Sequence, residues 1–187
     1  MRVIAGKARG VVLKTPDGML TRPTADRVKE AMFSIIQFEI PGARVLDLFG
    51  GTGQLGIEAL SRGAESCVFV DKNEGACRVI RENLRRTGFS EKAKIVRSDY
   101  LSYLKTAGEF FNIILLDPPY GEVFLENSIK LLAEIDILQT NGIIISERPF
   151  GKELSLDFPG FTRSKDYKYG NTVLALYRKT EADEGGL

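Results

Sequence analysis

The sequence predicts an α/β fold built on a doubly wound, mostly parallel sheet. Two observations carry this. From residue 44 onward, short apolar runs and helical patterns alternate with brief connections, the signature of strands joined by crossover helices. The run at 112–117 is also almost continuously apolar, as a strand covered on both faces must be. The length agrees: 187 residues, against a prior of about 150 per domain, point to one domain with an appendage.

The elements follow in order. Arg2-Val3-Ile4-Ala5 and Val11-Val12-Leu13 flank Gly6-Lys7-Ala8-Arg9-Gly10, a basic hairpin. Pro16, Gly18 and Pro23 interrupt any pattern until Thr24. From there Val28, Ala31, Met32, Ile35 and Ile36 recur at helical spacing until Pro41-Gly42. Strands are expected at 44–49, 66–71, 94–97, 112–117 and 142–146. The intervening helices are expected at 53–62, with Gly63 past its end, and from an Asn73 cap to Thr87, closed by Gly88. Others are expected near 100–106 and around Phe124, Ile129, Leu131, Leu132 and Ile135. Residues 161–179 read as two antiparallel strands joined at Tyr169-Gly170-Asn171. The acidic, glycine-containing end is a frayed tail. The resulting division is a basic hairpin extension at 1–20, a main domain at 21–180 and a flexible tail at 181–187.

Composition removes several kinds of chemistry. With 43% apolar and 27% charged residues, the chain is neither disordered nor fibrous. It contains no histidine, which excludes histidine triads, histidine acid–base catalysis and nearly every catalytic zinc arrangement. Cys67 and Cys77 are too few for a disulfide framework or an all-cysteine zinc site, so no metal is expected. No apolar run approaches the ~20 residues of a membrane span. With no signal-peptide pattern either, a cytoplasmic protein is expected. The net charge is only +1, yet residues 1–30 hold seven cationic side chains against three carboxylates. That basic arm is either a charged edge that discourages aggregation or a phosphate-contacting element.

Residues 47–56 read Asp-Leu-Phe-Gly-Gly-Thr-Gly-Gln-Leu-Gly, placing G-x-G-x-x-G directly after a strand and at the opening of a helix. Asp71 ends the second strand, where a carboxylate can accept both hydroxyls of an adenosine ribose. A dinucleotide and S-adenosylmethionine both suit this pattern, and Asp47 discriminates between them. A buried carboxylate there would repel a pyrophosphate, whereas S-adenosylmethionine brings an ammonium and a sulfonium. Its own carboxylate can use the helix N-terminal amides. Asp99, after the third strand, supplies a further acceptor near the place of an adenine amine. Helix capping alone is a poor explanation for acids ending three successive strands.

Asp117-Pro118-Pro119-Tyr120 follows the fourth strand at the same edge of the sheet. A double proline can simply stiffen a connection. Bracketed by a carboxylate and an aromatic ring, it gains a chemical use. An exocyclic base amine is a poor nucleophile because its lone pair is delocalised into the ring. A carboxylate and a backbone carbonyl accepting its N–H bonds would orient it, and Tyr120 can stack on an extruded base. Placement against the methyl group then supplies most of the acceleration. A cytosine-C5 mechanism would need a nucleophilic cysteine, and both cysteines read as packing residues.

The residues resemble a known family over nearly the whole chain, the RsmD family of bacterial small-subunit ribosomal RNA guanine-N2 methyltransferases. The resemblance rests on Arg2-Val3-Ile4-Ala5-Gly6, on Thr21-Arg22-Pro23-Thr24-Ala25-Asp26-Arg27-Val28-Lys29-Glu30-Ala31-Met32-Phe33, on Val45-Leu46-Asp47-Leu48-Phe49-Gly50-Gly51-Thr52-Gly53 and on the Asp117 tetrapeptide. The last two motifs are shared by many amino-methyltransferases, and the segment at 22–33 with the hairpin is the family-specific part. Tyr120 stands where relatives can carry phenylalanine, and Gln54 where serine is frequent. The resemblance implies a Rossmann-like class I S-adenosylmethionine-dependent methyltransferase fold and methylation of a guanine N2 in 16S rRNA, on the small subunit or its assembly intermediate, by a monomer. It makes Asp117, Pro118, Pro119 and Tyr120 the catalytic pocket. The cofactor set is Asp47, Phe49, Gly50, Gly51, Gly53, Asp71, Lys72, Asp99, Tyr100 and Asp117. The candidates for RNA contact are Lys7, Arg9, Arg22, Thr24 and Arg27, although Thr24 and Arg27 would serve equally as a helix cap and a solvated charge. The rival readings are an adenine-N6 DNA methyltransferase, an NAD-dependent oxidoreductase and a non-enzymatic RNA-binding assembly factor.

Overall fold

The computed structural model describes residues 1–15, 23–119, 123–151 and 158–179, with backbone alone for 23–25. Helices α1 (Pro23–Ile35), α2 (Gln54–Ser61), α3 (Glu74–Thr87), α4 (Tyr100–Thr106) and α5 (Phe124–Glu134) alternate with strands β1 (Arg44–Asp47), β2 (Ser66–Asp71), β3 (Ala93–Arg97), β4 (Phe111–Leu116) and β5 (Leu138–Pro149). Strands β6 (Phe161–Tyr169) and β7 (Thr172–Lys179) close the chain. The sheet order is β3-β2-β1-β4-β5-β7-β6. The first five strands are parallel, and β7 inserts between β5 and β6, antiparallel to both. This is the mostly parallel, doubly wound Rossmann-like sheet that the alternation implies. Among the described residues, no helix is long and apolar enough to cross a membrane.

Side-chain alternation along the central strands divides the core into two layers. Val45, Ile113, Leu115, Ile143 and Ile145 pack against α1, α2 and α3 through Met32, Phe33, Leu60 and Ile80. Leu46, Ile114, Leu116 and Ile144 pack on the other face against α4 and α5 through Leu104, Ile129 and Leu132. Helix boundaries follow local chemistry. The Asn73 side chain accepts from Gly75 and Ala76 N–H to start α3, and Gly88, in the left-handed region, ends it. Gly56 is required for α2 to lie on β2, because a Cβ there would stand 2.3 Å from the Phe69 ring and 2.6 Å from Cys67 Sγ. Both cysteines are buried packing residues, as expected.

Several boundaries differ from expectation for tertiary reasons. Strand β1 ends at Asp47 rather than 49, because the chain turns there into the glycine loop. Strand β5 runs from Leu138 to Pro149, well beyond 142–146, because Leu138 pairs with Phe111 of β4 at one end and β7 pairs with it from Ile143 to Pro149. Helix α1 stops at Ile35, short of Pro41-Gly42, and turns fill the gap. The amino-terminal hairpin has one ladder bridge, Arg2 with Val12, supported by Val3 N–H to Val11 O (3.0 Å) and Leu13 N–H to Met1 O (3.1 Å). So short a pairing is not stable by itself.

The hairpin is held down by buried polar groups on α1 and α2. Glu58 is fully buried and accepts from Ile4 N–H (2.8 Å), Ala5 N–H (3.0 Å) and Arg62 Nε (2.8 Å). The Lys29 ammonium lies 3.8 Å from Glu58 and donates to Arg2 O at 2.6 Å. Ser61 Oγ accepts from Ala8 N–H and donates to Ala5 O. Asn83, buried on α3, pairs with both backbone groups of Lys14 and donates to Thr52 O at 2.9 Å. The end of the hairpin segment is thereby tied to the glycine loop.

Candidate active site

The sheet order reverses between β1 and β4, and a crevice opens there beyond the strand carboxyl ends, where such folds bind ligands. A cavity of about 1100 Å³ occupies this position. It brings together most of the residues expected to hold a cofactor: Asp47, Phe49, Gly50, Gly51, Asp71, Lys72, Asp99, Tyr100 and Asp117 all line it, with Pro118 and Pro119 beside them. Gly53 sits behind the lining. It is the left-handed residue before α2 (φ 78°), where a Cβ would meet Ile57 and Ile80 side chains at 3.3 Å.

Each carboxylate has its own environment. Asp71 spans the loop, accepting Gly51 N–H through Oδ2 and Asn73 N–H through Oδ1, both at 2.8 Å. Asp99 accepts from Leu101 and Ser102 N–H, so it caps α4 as well as lining the cavity. Asp47 is buried and accepts Gly56 N–H at 3.0 Å through Oδ2, while its Oδ1 has no hydrogen-bond partner among the described residues. Burial pushes the Asp47 carboxyl up to about 7. The Asp71 charge adds to the rise, and the Gly56 and Phe49 amides oppose it. Burial likewise pushes Asp117 up to about 8, reinforced by the charges of Glu147 and Asp47.

Phe49, Tyr100 and Phe124, which also line the cavity, form an aromatic group with ring centroids 5.2, 5.5 and 6.2 Å apart. The cavity therefore joins an apolar aromatic side to a carboxylate-rich floor. That floor suits cationic or hydrogen-bond-donating ligand atoms, because a further anion there would meet like charge in a desolvated setting.

Some expected residues lie elsewhere. Lys7, Arg9 and Arg27 are exposed away from the cavity lining. Thr24 lies in the first turn of α1. Tyr120, Arg22 and the tail at 181–187 fall outside the described residues.

Three contributors escaped the sequence reading. Glu147 ends the apolar run of β5 as Asp117 ends that of β4, and the same acid-after-strand signal would have found it. Gln54, considered only as part of a helix start, lines the cavity with a buried Oε1 that has no partner among the described residues. Lys29 lines the cavity from α1 although its position within a helical repeat marks it only as a polar residue. Its burial depends on the docked hairpin, which no local pattern announces.

A family model described as "Conserved hypothetical protein 95" matches residues 1–178. YlbH of Bacillus subtilis (strain 168) is 40% identical over 182 residues, covering 96% of this chain and 99% of its own. Ribosomal RNA small subunit methyltransferase D of Escherichia coli (strain K12) is 32% identical over 184 residues, covering 98% and 92%. The chain belongs to the RsmD family. Among solved structures, Escherichia coli yhhF superposes with a TM-score of 0.87 at 30% identity, covering 97% of this chain and 99% of that one. The likeness to RsmD-family proteins thus includes the amino-terminal hairpin as well as the sheet. In this RsmD-family chain the Asp117-Pro118-Pro119 segment forms part of the wall of the cavity where the strand order reverses.

Proposed function

We propose that this chain transfers a methyl group from S-adenosylmethionine to the exocyclic N2 amine of a guanine in small-subunit ribosomal RNA, acting in the cytoplasm as a monomer on the subunit or its assembly intermediate. The observation that carries the reading is the buried, carboxylate-rich floor of the cavity directly beneath the glycine loop. Asp47 Oδ1 and Gln54 Oε1 are buried acceptors without partners among the described residues, the environment that an ammonium or sulfonium relieves. The same floor opposes the pyrophosphate of a dinucleotide. S-adenosylmethionine supplies an electrophilic methyl group on a cationic sulfur.

The chain's own residues would divide the work. Asp71 and the loop amides hold the ribose side. Asp47 and Gln54 face the charged amino-acid end, and Phe49 and Tyr100 cover the adenine. Asp117 and one proline carbonyl would accept the two N–H bonds of the base amine, orienting its lone pair toward the methyl group. The base identity and RNA substrate are supported by the family-specific segment at 22–33 and by the name of the Escherichia coli relative.

The test is methyl transfer from labelled S-adenosylmethionine to undermethylated small subunits, free 16S RNA and unmethylated DNA, with the product nucleoside identified by mass spectrometry. N2-methylguanosine from subunits or their RNA is expected. Asp117→Ala should lower turnover by roughly 100-fold while cofactor binding survives. N6-methyladenine, or binding with no transfer to any substrate, would overturn the reading.

A further inference from the structure

The geometry points to Glu147 as the residue that reads the acceptor base, selecting guanine by taking the hydrogen bond of its ring N1–H while Asp117 takes that of the N2 amine. This inference rests on the guanine-N2 reading above. Strands β4 and β5 are parallel, and their register pairs Leu115 with Ile145 and Leu116 with Ser146. Continued one residue past the end of β4, the same register would set Asp117 against Glu147, and the Glu147 charge acts on the Asp117 carboxyl. Laterally paired residues of parallel strands share a face of the sheet, and both carboxylates line the cavity.

This corner of the cavity offers acceptors. Pro118 and Pro119 contribute carbonyls and no N–H. Asp47, whose buried Oδ1 has no partner among the described residues, lines the same cavity. Such a wall discriminates among bases by elementary hydrogen-bond counting. Guanine presents a ring N–H directly beside its exocyclic amine. Adenine presents its amine between two ring nitrogens that are acceptors, and cytosine presents its amine beside an acceptor nitrogen. Two carboxylates set to span an exocyclic amine and the adjacent ring atom therefore meet a donor at both positions from guanine alone. With adenine or cytosine, the second carboxylate would face a ring lone pair instead of a donor, which is repulsive. Asp117 alone would fit any base amine; the addition of Glu147 makes the pair specific for guanine.

The test uses 2-aminopurine, which keeps the N2 amine but carries a lone pair at N1. Small subunits are reconstituted with 16S RNA in which the guanosine that acquires the methyl group, once mapped, is replaced by the 2-aminopurine ribonucleoside. The wild-type protein is expected to prefer guanosine by about 10- to 100-fold in kcat/KM, the range for losing a hydrogen bond to a charged group. Glu147→Gln should shrink that preference to about threefold or less, because its amide can turn either its oxygen or its NH2 toward N1, while the affinity for S-adenosylmethionine stays unchanged. Comparing the two proteins on the two bases isolates the N1 contact from the loss of O6. If Glu147→Gln fails to fold, Glu147→Asp, with its carboxylate withdrawn by one methylene, should lose activity on guanosine more than on 2-aminopurine. Equal rates on both bases with the wild-type protein, or an undiminished preference in the folded variants, would overturn the inference. A wild-type protein that makes no N2-methylguanosine overturns the acceptor reading itself. N2-methylguanosine made without base preference overturns the role of Glu147 alone.

Discussion

Asp47 and Asp117 carry an electrostatic cost of burial. Their carboxyls sit at about 7 and about 8, well above the value near 4 of an unfolded chain. The folded protein therefore binds more protons than the unfolded one between about pH 4 and 8. The associated stability is complete below about pH 4 and is lost as pH rises through 7 and 8. The melting temperature of the ligand-free protein should accordingly fall between pH 5.5 and 8.5, and Asp47→Asn with Asp117→Asn should flatten that decline. A melting temperature that holds or climbs across this window in the wild-type protein would contradict the assignment. A cationic ligand would oppose the same cost by favouring the ionised carboxyls, which links the burial of these two groups to the charge of the cofactor proposed for the site.

At the scale of elements, the amino-terminal hairpin and α2 behave as one unit. The hairpin has a single ladder bridge, so its position depends on Glu58, Ser61 and Lys29. Helix α2 begins at the glycine loop, so groups that seat the hairpin also steady the cofactor wall. Glu58→Ala would leave Lys29 buried without its carboxylate and the Ile4 and Ala5 amides without their acceptor. The expected loss is roughly 3–5 kcal/mol of unfolding free energy, read from urea denaturation. A loss under about 1 kcal/mol would show that the hairpin is seated by apolar contacts from Val3, Ala8 and Leu13 instead.

For the whole molecule, the net charge of +1 conceals an uneven distribution. The hairpin's backbone is occupied in docking, while Lys7 and Arg9 remain exposed at its turn and free to meet phosphates. If each neutralises one phosphate, Lys7→Ala and Arg9→Ala should each reduce the salt slope of RNA binding by about one, measured over a series of salt concentrations. An unchanged slope would assign both side chains to solubility, the other role the basic arm can play.

The sequence by itself determined what local chemistry and periodicity encode. The Asn73 cap, the Gly88 stop and the apolar run of β2 place elements whose ends match the structure, because each is decided by a few neighbouring residues. The glycine loop, Asp47, Asp71 and the Asp117-Pro118-Pro119 segment were legible for the same reason: each lies at a strand end, where a parallel sheet gathers its ligands. Only the tertiary structure decided the length of β5, which follows from pairing with a strand some thirty residues later. It alone seated the hairpin, through a carboxylate more than fifty residues away. It also gathered Glu147 and Asp117 at one cavity, because lateral register between parallel strands is set by packing of both sheet faces and leaves no mark in either strand alone.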